Sequence, residues 1–258
     1  MDGTVHMQTS QFAVLSPEQL RQYQEDGYTL VRNLIPLEPL EAVRRVLMDL
    51  MNGKQEEWDI SHFQFINPEK YRTPLGNMVP GGVQKPAHHT NPVFRAVADH
   101  PNLRAAMSQL LGGPVKRFTD QCLIKTSWVK EEQRLQTYYH QDSYYWQIKP
   151  QLGCNVWIPL DPVGPGAIAL AVLPGSQRGW KLEEHEQYFD EPSMHNAKTL
   201  EPFKRHRIPR DRVDFSNEVL FSLNPGDGVF FTNFTWHRAE PNRSGDHKCV
   251  YAIAYQLQ

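Results

Sequence analysis

The chain has 258 residues, 40% hydrophobic and 22% charged, enough to bury a sizeable core and better suited to one large globular domain than to two small ones. Its formal charge of -2 and pI near 6.6 provide no polycationic surface for phosphate backbones or anionic lipid, so neither nucleic acid nor membrane is an expected partner. Three scattered cysteines without a CxxC, a polar N-terminus and no long apolar run predict reduced buried thiols in a cytoplasmic protein with no thiolate zinc, standard secretion signal or membrane span.

Behind an N-terminal segment expected to be frayed, "SPEQLRQYQEDG" carries a complete helix signal. Ser16 is the N-cap, Pro17 the first helical residue, Gln19 the capping-box partner and Gly27 the terminator. "YTLVRN" reads as a short strand. Leu40, Val43, Val46, Leu47 and Leu50 then recur at helical spacing as far as Gly53. From Lys54 to about Thr90 the periodicity is lost, which predicts a long irregular substrate loop. "NPVFRAVADHPNLRAAMSQLLGG" predicts two short helices broken at His100-Pro101 and closed at Gly112-Gly113.

Past Val115 the signals are mostly strands divided by Gly, Pro, Asn and Asp turns, interrupted by a charged insertion from Gly179 to Asn217. Helices first and strands afterwards favour an α+β fold with a mainly β core, its helices packed on one sheet of a sandwich or jelly roll. The expected organisation is one domain over 1–258, with a helical part over 1–114 and a jelly-roll core over 115–258.

Within "LQTYYHQDSYYWQI", His140 and Asp142 stand two residues apart. On an extended strand they would project from one face, with Gln141 on the other. An imidazole and a carboxylate supply two corners of a coordination sphere, and His237, after the Pro-Gly-Asp-Gly turn and an apolar strand, is the candidate third. Two His and one carboxylate leave three cis positions of an octahedral iron(II) open for a bidentate co-substrate and dioxygen, whereas zinc sites need less room. A basic residue beyond the last ligand would hold the far carboxylate of a dicarboxylate co-substrate, and Arg243 and Lys248 both qualify. Each piece also has a plain structural reading: aromatic residues in strands are usually core, and Arg243 in "PNRSGD" could be a solvated turn residue. The order of the pieces raises their joint weight.

Together, "HQD" at 140–142, "VWIPLD" at 156–161, "LPGSQRGW" at 173–180, "NPGDGVFF" at 224–231 and the segment from His237 to Arg243 make the chain, from about Glu18 to Gln256, resemble the phytanoyl-CoA dioxygenase family. These are iron(II)- and 2-oxoglutarate-dependent oxygenases with a double-stranded β-helix (jelly-roll) core. The resemblance implies iron(II), 2-oxoglutarate and dioxygen, with ascorbate as an optional reductant, in a monomer or homodimer. It assigns the metal to His140, Asp142 and His237, and matches the 2-oxoglutarate contacts to Lys85, Trp157, and Gln121 or Cys122. Some members place the carboxylate-binding Arg where this chain has Lys248, others near Arg243; the bidentate fork favours Arg243. Gln177 stands where many relatives have His, near the expected mouth of the active site.

The family's halogenases replace the metal carboxylate with a small residue, so Asp142 predicts hydroxylation or a related oxidation. Tyr138, Tyr144, Tyr145 and Trp146, with Phe63 and Phe65 from the long loop, predict a pocket for an apolar or ring-bearing small molecule, a secondary metabolite in particular. Two other readings stand beside it. An acyl-CoA α-hydroxylase would use "FKRHRIPRDR" for the CoA phosphates, and a β-barrel binding protein would lack catalysis.

Overall fold

The helix signals near the N-terminus operate as capping chemistry requires. The computed structural model describes residues 15–55, 58–89, 92–129, 137–189 and 192–258, so the segment expected to be frayed lies outside the described residues. In helix α1 (Pro17–Asp26) the Ser16 side chain accepts from the Gln19 backbone and the Gln19 side chain accepts in return from the Ser16 backbone, a reciprocal capping box. Gly27 ends it at φ 79, and a side chain there would run into Gln177 and Thr235. Helix α2 (Leu37–Met51) buries Leu40, Val43, Leu47 and Leu50, with Val46 packed at the edge of the core. Helices α3 (Pro86–His89), α4 (Pro92–Ala98) and α5 (Pro101–Leu111) follow, and α5 closes at Gly112 in the left-handed region.

The long segment predicted to be irregular instead contains strands β2 (Phe63–Ile66) and β3 (Pro80–Gln84). With β1 (Tyr28–Val31), β4 (Val115–Lys125), β6 (Gly153–Pro159), β9 (Met194–Asn196), β12 (Gly228–Thr232) and β14 (Lys248–Leu257) they form an eight-stranded sheet, ordered β1-β12-β6-β14-β4-β3-β2-β9. A second sheet runs β11-β7-β13-β5, from β5 (Thr137–His140), β7 (Leu170–Val172), β11 (Val219–Leu220) and β13 (His237–Ala239). The insertion adds a two-stranded ribbon of β8 (Glu186–Tyr188) and β10 (Arg205–Arg207). The shortness of both strands and the Pro and Gly residues of β3 hid them, and they depend on each other and on β4 and β9 for their hydrogen bonds.

Period-two alternation divides the large sheet between two cores. Cys122 and Ile124 of β4, Cys154, Val156 and Ile158 of β6, and Cys249, Tyr251, Ile253 and Tyr255 of β14 face the helices. Their neighbours Leu123, Trp157, Val250 and Ala252 face the smaller sheet, joining Leu170, Val172 and Phe231. Each fully buried large side chain of this kind stabilises the fold by about 1.5–3 kcal/mol. Together the layers make a jelly roll with its helices on one face. The three cysteines are free and fully buried, and burial pushes the Cys154 and Cys249 thiols up to about 12. Among the described residues no helix is long and apolar enough to cross a membrane.

Candidate metal centre

His140 and His237 meet because β5 and β13 pair antiparallel with these two residues in register. Their ring centroids lie 4.2 Å apart. The extended His-x-Asp pair predicted from sequence takes a different form: β5 ends at His140, and Asp142, at φ -65 and ψ -29, opens the single helical turn α6 (Ser143–Trp146). That turn bends the carboxylate back between the imidazoles. Its Oδ1 lies 3.6 Å from His140 Nε2, and its Oδ2 lies 3.6 Å from His237 Nε2. Gln141 is fully buried and holds the neighbouring loops, donating to the Lys181 and Phe234 carbonyls and accepting from Glu183 N.

The donor set fits a metal ion. Each imidazole Nδ1 lies against a backbone carbonyl, Tyr138 O at 2.8 Å for His140 and Thr235 O at 3.0 Å for His237. Those contacts place the proton on Nδ1 and leave the Nε2 lone pairs facing Asp142. All three ligand atoms lie within 4.8 Å of one another. Burial pushes His237 down to about 4 against the opposing pull of Asp142, so its ring is neutral, as a metal ligand must be. Burial works to raise the Asp142 carboxyl, but His237, His140 and Arg205 hold it below its ordinary value. Asn155 Nδ2 donates to Asp142 Oδ2 and orients it.

Behind the two histidines runs a clamp that the sequence did not announce. Glu218 accepts from the Tyr139 hydroxyl at 2.8 Å and takes both Arg238 Nε (2.9 Å) and Nη2 (2.8 Å) in a fork. Tyr139 precedes one ligand and Arg238 follows the other. Burial would raise the Glu218 carboxyl, but Arg238 and Tyr139 keep it lowered and charged. Glu218→Ala should therefore loosen the β5–β13 register and weaken iron(II) affinity by about tenfold, measured by chelator competition, with Glu218→Gln keeping part of it. An unchanged affinity in the alanine variant would reduce the clamp to a surface ornament.

The group opens onto a cavity of about 370 Å³, whose lining includes Gln121, Lys125, Tyr145, Trp146, Trp157, Arg205 and Phe231. Of the site residues predicted from sequence, Trp157, Gln121, Tyr145 and Trp146 line this cavity. Others do not. Phe63 and Phe65 are 2% and 0% exposed in the helix-side core, because strand alternation turns Gln64 to the cavity instead. Tyr138 packs on Tyr188 and under Arg207, and Tyr144 stacks on His185; neither lines the cavity. Cys122 faces the helices, and Lys85 is exposed at the end of β3.

Of the two candidate anchors, Arg243 is exposed on its turn, away from the cavity wall. Lys248 is half-buried at the start of β14 and absent from the wall. A buried cation on the wall is Lys125, 7% exposed and paired in register with Lys248 on the neighbouring strand. In "PNRS" the working residue is Asn242, whose amide donates to the Lys125 carbonyl at 2.8 Å. The same odd-numbered face of β4 carries Gln121, Leu123 and Lys125, a pattern that could have marked Lys125 from sequence. Gln177 lies away from the mouth: it is buried and donates to the Gln24 and Glu25 carbonyls, finishing the C-terminal end of α1.

Comparison with known proteins agrees with this architecture. A Caenorhabditis elegans protein named "Probable phytanoyl-CoA dioxygenase" is 23% identical over 259 residues, covering 96% of this chain and 77% of that protein. The 1-deoxypentalenic acid 11-beta-hydroxylase of Streptomyces exfoliatus is 23% identical over 88% of this chain and 75% of its own length. EctD from S. alaskensis superimposes with a TM-score of 0.68 at 16% identity, covering 100% of this chain and 82% of that one. The epimerase SnoN, solved with Fe3+, alpha ketoglutarate and nogalamycin RO, gives 0.64 at 20% identity, covering 93% and 82%. The model of the phytanoyl-CoA dioxygenase (PhyH) family matches residues 23–249, and the chain belongs to that family.

Proposed function

We propose that this protein is an iron(II)- and 2-oxoglutarate-dependent dioxygenase that hydroxylates an apolar, ring-bearing small molecule. The observation that carries the reading is the convergence of two bare imidazole Nε2 atoms and one carboxylate on a single cavity whose wall also holds a buried lysine. When bound, iron(II) with 2-oxoglutarate and dioxygen supplies the oxidation, coupling decarboxylation to succinate and CO2 with attack on a substrate C–H bond.

The chain's own residues position and shield. His140, Asp142 and His237 would hold the ion, and Asn155 keeps the Asp142 carboxylate turned toward the two imidazoles. Lys125 receives the distal carboxylate of 2-oxoglutarate, with Trp157 and Gln121 along its length. Tyr145, Trp146, Met194 and Phe203 offer an apolar wall that excludes water and holds the substrate in one pose. That wall, and the relative acting on 1-deoxypentalenic acid, support a secondary metabolite over an acyl-CoA. Two cations of the basic run are taken up by ion pairs, Arg207 with Glu186 and Arg212 with Glu184.

Anaerobic titration of the metal-free protein with iron(II) and then 2-oxoglutarate is expected to develop a metal-to-ligand charge-transfer band that saturates at equimolar co-substrate. A protein that binds iron without developing the band is not this enzyme. Under labelled dioxygen and with chloride present, product should carry labelled oxygen and no chlorine; a chlorinated or mass-neutral product would refute hydroxylation.

A further inference from the structure

The fully buried Gln141 stands between two of the metal-binding residues, at a break in the strand pairing: β5 ends at His140, and the helical turn α6 begins after Asp142. A buried backbone N–H in such a break needs an acceptor from elsewhere in the chain. Here the acceptor is His185 Nε2 at 3.2 Å, from the charged insertion 44 residues further on. His185 Nδ1 lies 2.9 Å from the Glu183 carbonyl, which places the ring proton on Nδ1 and leaves Nε2 free to accept. The ring is held in place by stacking on Tyr144, with centroids 4.2 Å apart.

The Gln141 side chain ties the same turn to two more segments. Its Nε2 donates to the Lys181 carbonyl of the insertion at 2.9 Å and to the Phe234 carbonyl, three residues before His237, at 3.0 Å. Its Oε1 accepts from Glu183 N at 2.7 Å. The insertion reaches the flanks of the turn at two further points: Ile208 N donates to Tyr139 O at 2.7 Å, and the Tyr145 hydroxyl donates to the His206 carbonyl (3.0 Å) and accepts from its N–H (2.9 Å). Tyr139, Gln141, Tyr144 and Tyr145 surround His140 and Asp142 in the chain, and each of the four touches the insertion. That insertion also lays Phe203, Lys204 and Arg205 on the cavity wall.

We propose that His185 is a positioning residue for the metal centre, and that docking of the insertion and binding of the metal are linked through its bond to Gln141. With His185 seated, the Gln141 backbone is fixed, and with it the directions in which His140 and Asp142 on either side present their ligand atoms. With the insertion undocked, the Gln141 N–H and side-chain amide lose acceptors and a donor that the fold supplies, and the turn that aims Asp142 loses its support. Linkage is reciprocal: the factor by which docking tightens metal binding is the factor by which metal tightens docking. Because Phe203, Lys204 and Arg205 belong to the insertion, a molecule packed against their part of the wall favours the docked form and thereby the metal-binding arrangement. The assignment rests on the reading of His140, Asp142 and His237 as a metal centre, and its test needs neither 2-oxoglutarate nor turnover.

The probe is cobalt(II) alone, added to the metal-free full-length protein. Affinity is read by chelator competition, coordination by visible absorption, and docking by hydrogen–deuterium exchange over residues 181–188 and 203–208. In the wild type, cobalt(II) should bind and slow exchange in both segments by about tenfold or more. His185→Phe keeps a ring against Tyr144 but removes the acceptor; it should weaken cobalt(II) binding by about tenfold, alter the cobalt absorption and lose most of the metal-dependent slowing. His185→Gln, whose carboxamide oxygen accepts a hydrogen bond, should recover part of each. A purely structural role for His185 predicts faster exchange in His185→Phe with and without metal at unchanged cobalt(II) affinity, and that result would overturn the proposal. So would cobalt(II) binding to the wild type that leaves exchange of the insertion unchanged, a comparison that decides the matter even if His185→Phe does not fold. A wild-type protein that binds no cobalt(II) refutes the metal centre itself and the linkage with it, an outcome the wild-type titration separates from failure of the linkage alone.

Discussion

Alanine at His140, Asp142 or His237 is expected to abolish substrate oxidation and to weaken iron(II) binding by more than about 100-fold, beyond the 10–100-fold typical of losing a supporting partner. Each replacement removes one of three protein donors, and among the described residues the other carboxylate on the cavity wall, Asp120, is committed to Ala87, Tyr251 and Arg117. The three side chains line a cavity rather than fill the core, so the fold should persist. Asp142→Ala also leaves the buried Asn155 amide without its acceptor, which adds a stability loss of about 1–3 kcal/mol absent from His237→Ala. Metal content after anaerobic reconstitution, turnover and thermal unfolding separate these effects. Near-normal turnover in any of the three variants would remove that residue from the metal centre.

Lys125→Met should raise the 2-oxoglutarate concentration needed for half-saturation by about 10- to 100-fold, the equivalent of one charge-assisted contact of about 1.5–3 kcal/mol. Arg243→Ala should change it by less than about twofold, because that residue is exposed on a turn and does not line the wall. Lys248→Met is expected to fall between them: it sits across the sheet from Lys125 and contributes to the local positive charge without lining the cavity. The measurement is the charge-transfer titration in each variant. A larger effect at Arg243 than at Lys125 would return the anchor to the residue that its fork geometry first favoured.

The proposal of Lys125 over Arg243 rests on position rather than on chemistry. Judged by functional groups alone, an arginine in a motif shared with relatives outranks a lysine in an unremarked strand. The placement of the two depends on the β4–β14 register and on Asn242, which reaches from the motif to the Lys125 backbone. Phe63 and Phe65 were lost to the core for a similar reason. Their strand was not legible because "FQFI" is short, and only pairing with β3 and β9 makes it a strand whose alternation sends Gln64, not the phenylalanines, inward.

Sequence by itself determined what depends on neighbours along the chain or on order along it. Ser16, Pro17, Gln19 and Gly27 delimit α1 because capping is local chemistry among residues a few positions apart. The helical spacing of Leu40, Val43 and Leu47, and the succession of His140, Asp142 and His237 within family motifs, could likewise be read directly. Only tertiary structure decided which side chains share a volume. It turned Asp142 inward through a helical turn, closed a clamp from Glu218 onto residues flanking both histidines, and brought Arg205 from a charged insertion to the cavity wall. The physical reason is that a binding site is made by contacts between strands distant in the chain, and a one-residue change of register in any of them exchanges the residue facing the cavity for the one facing away.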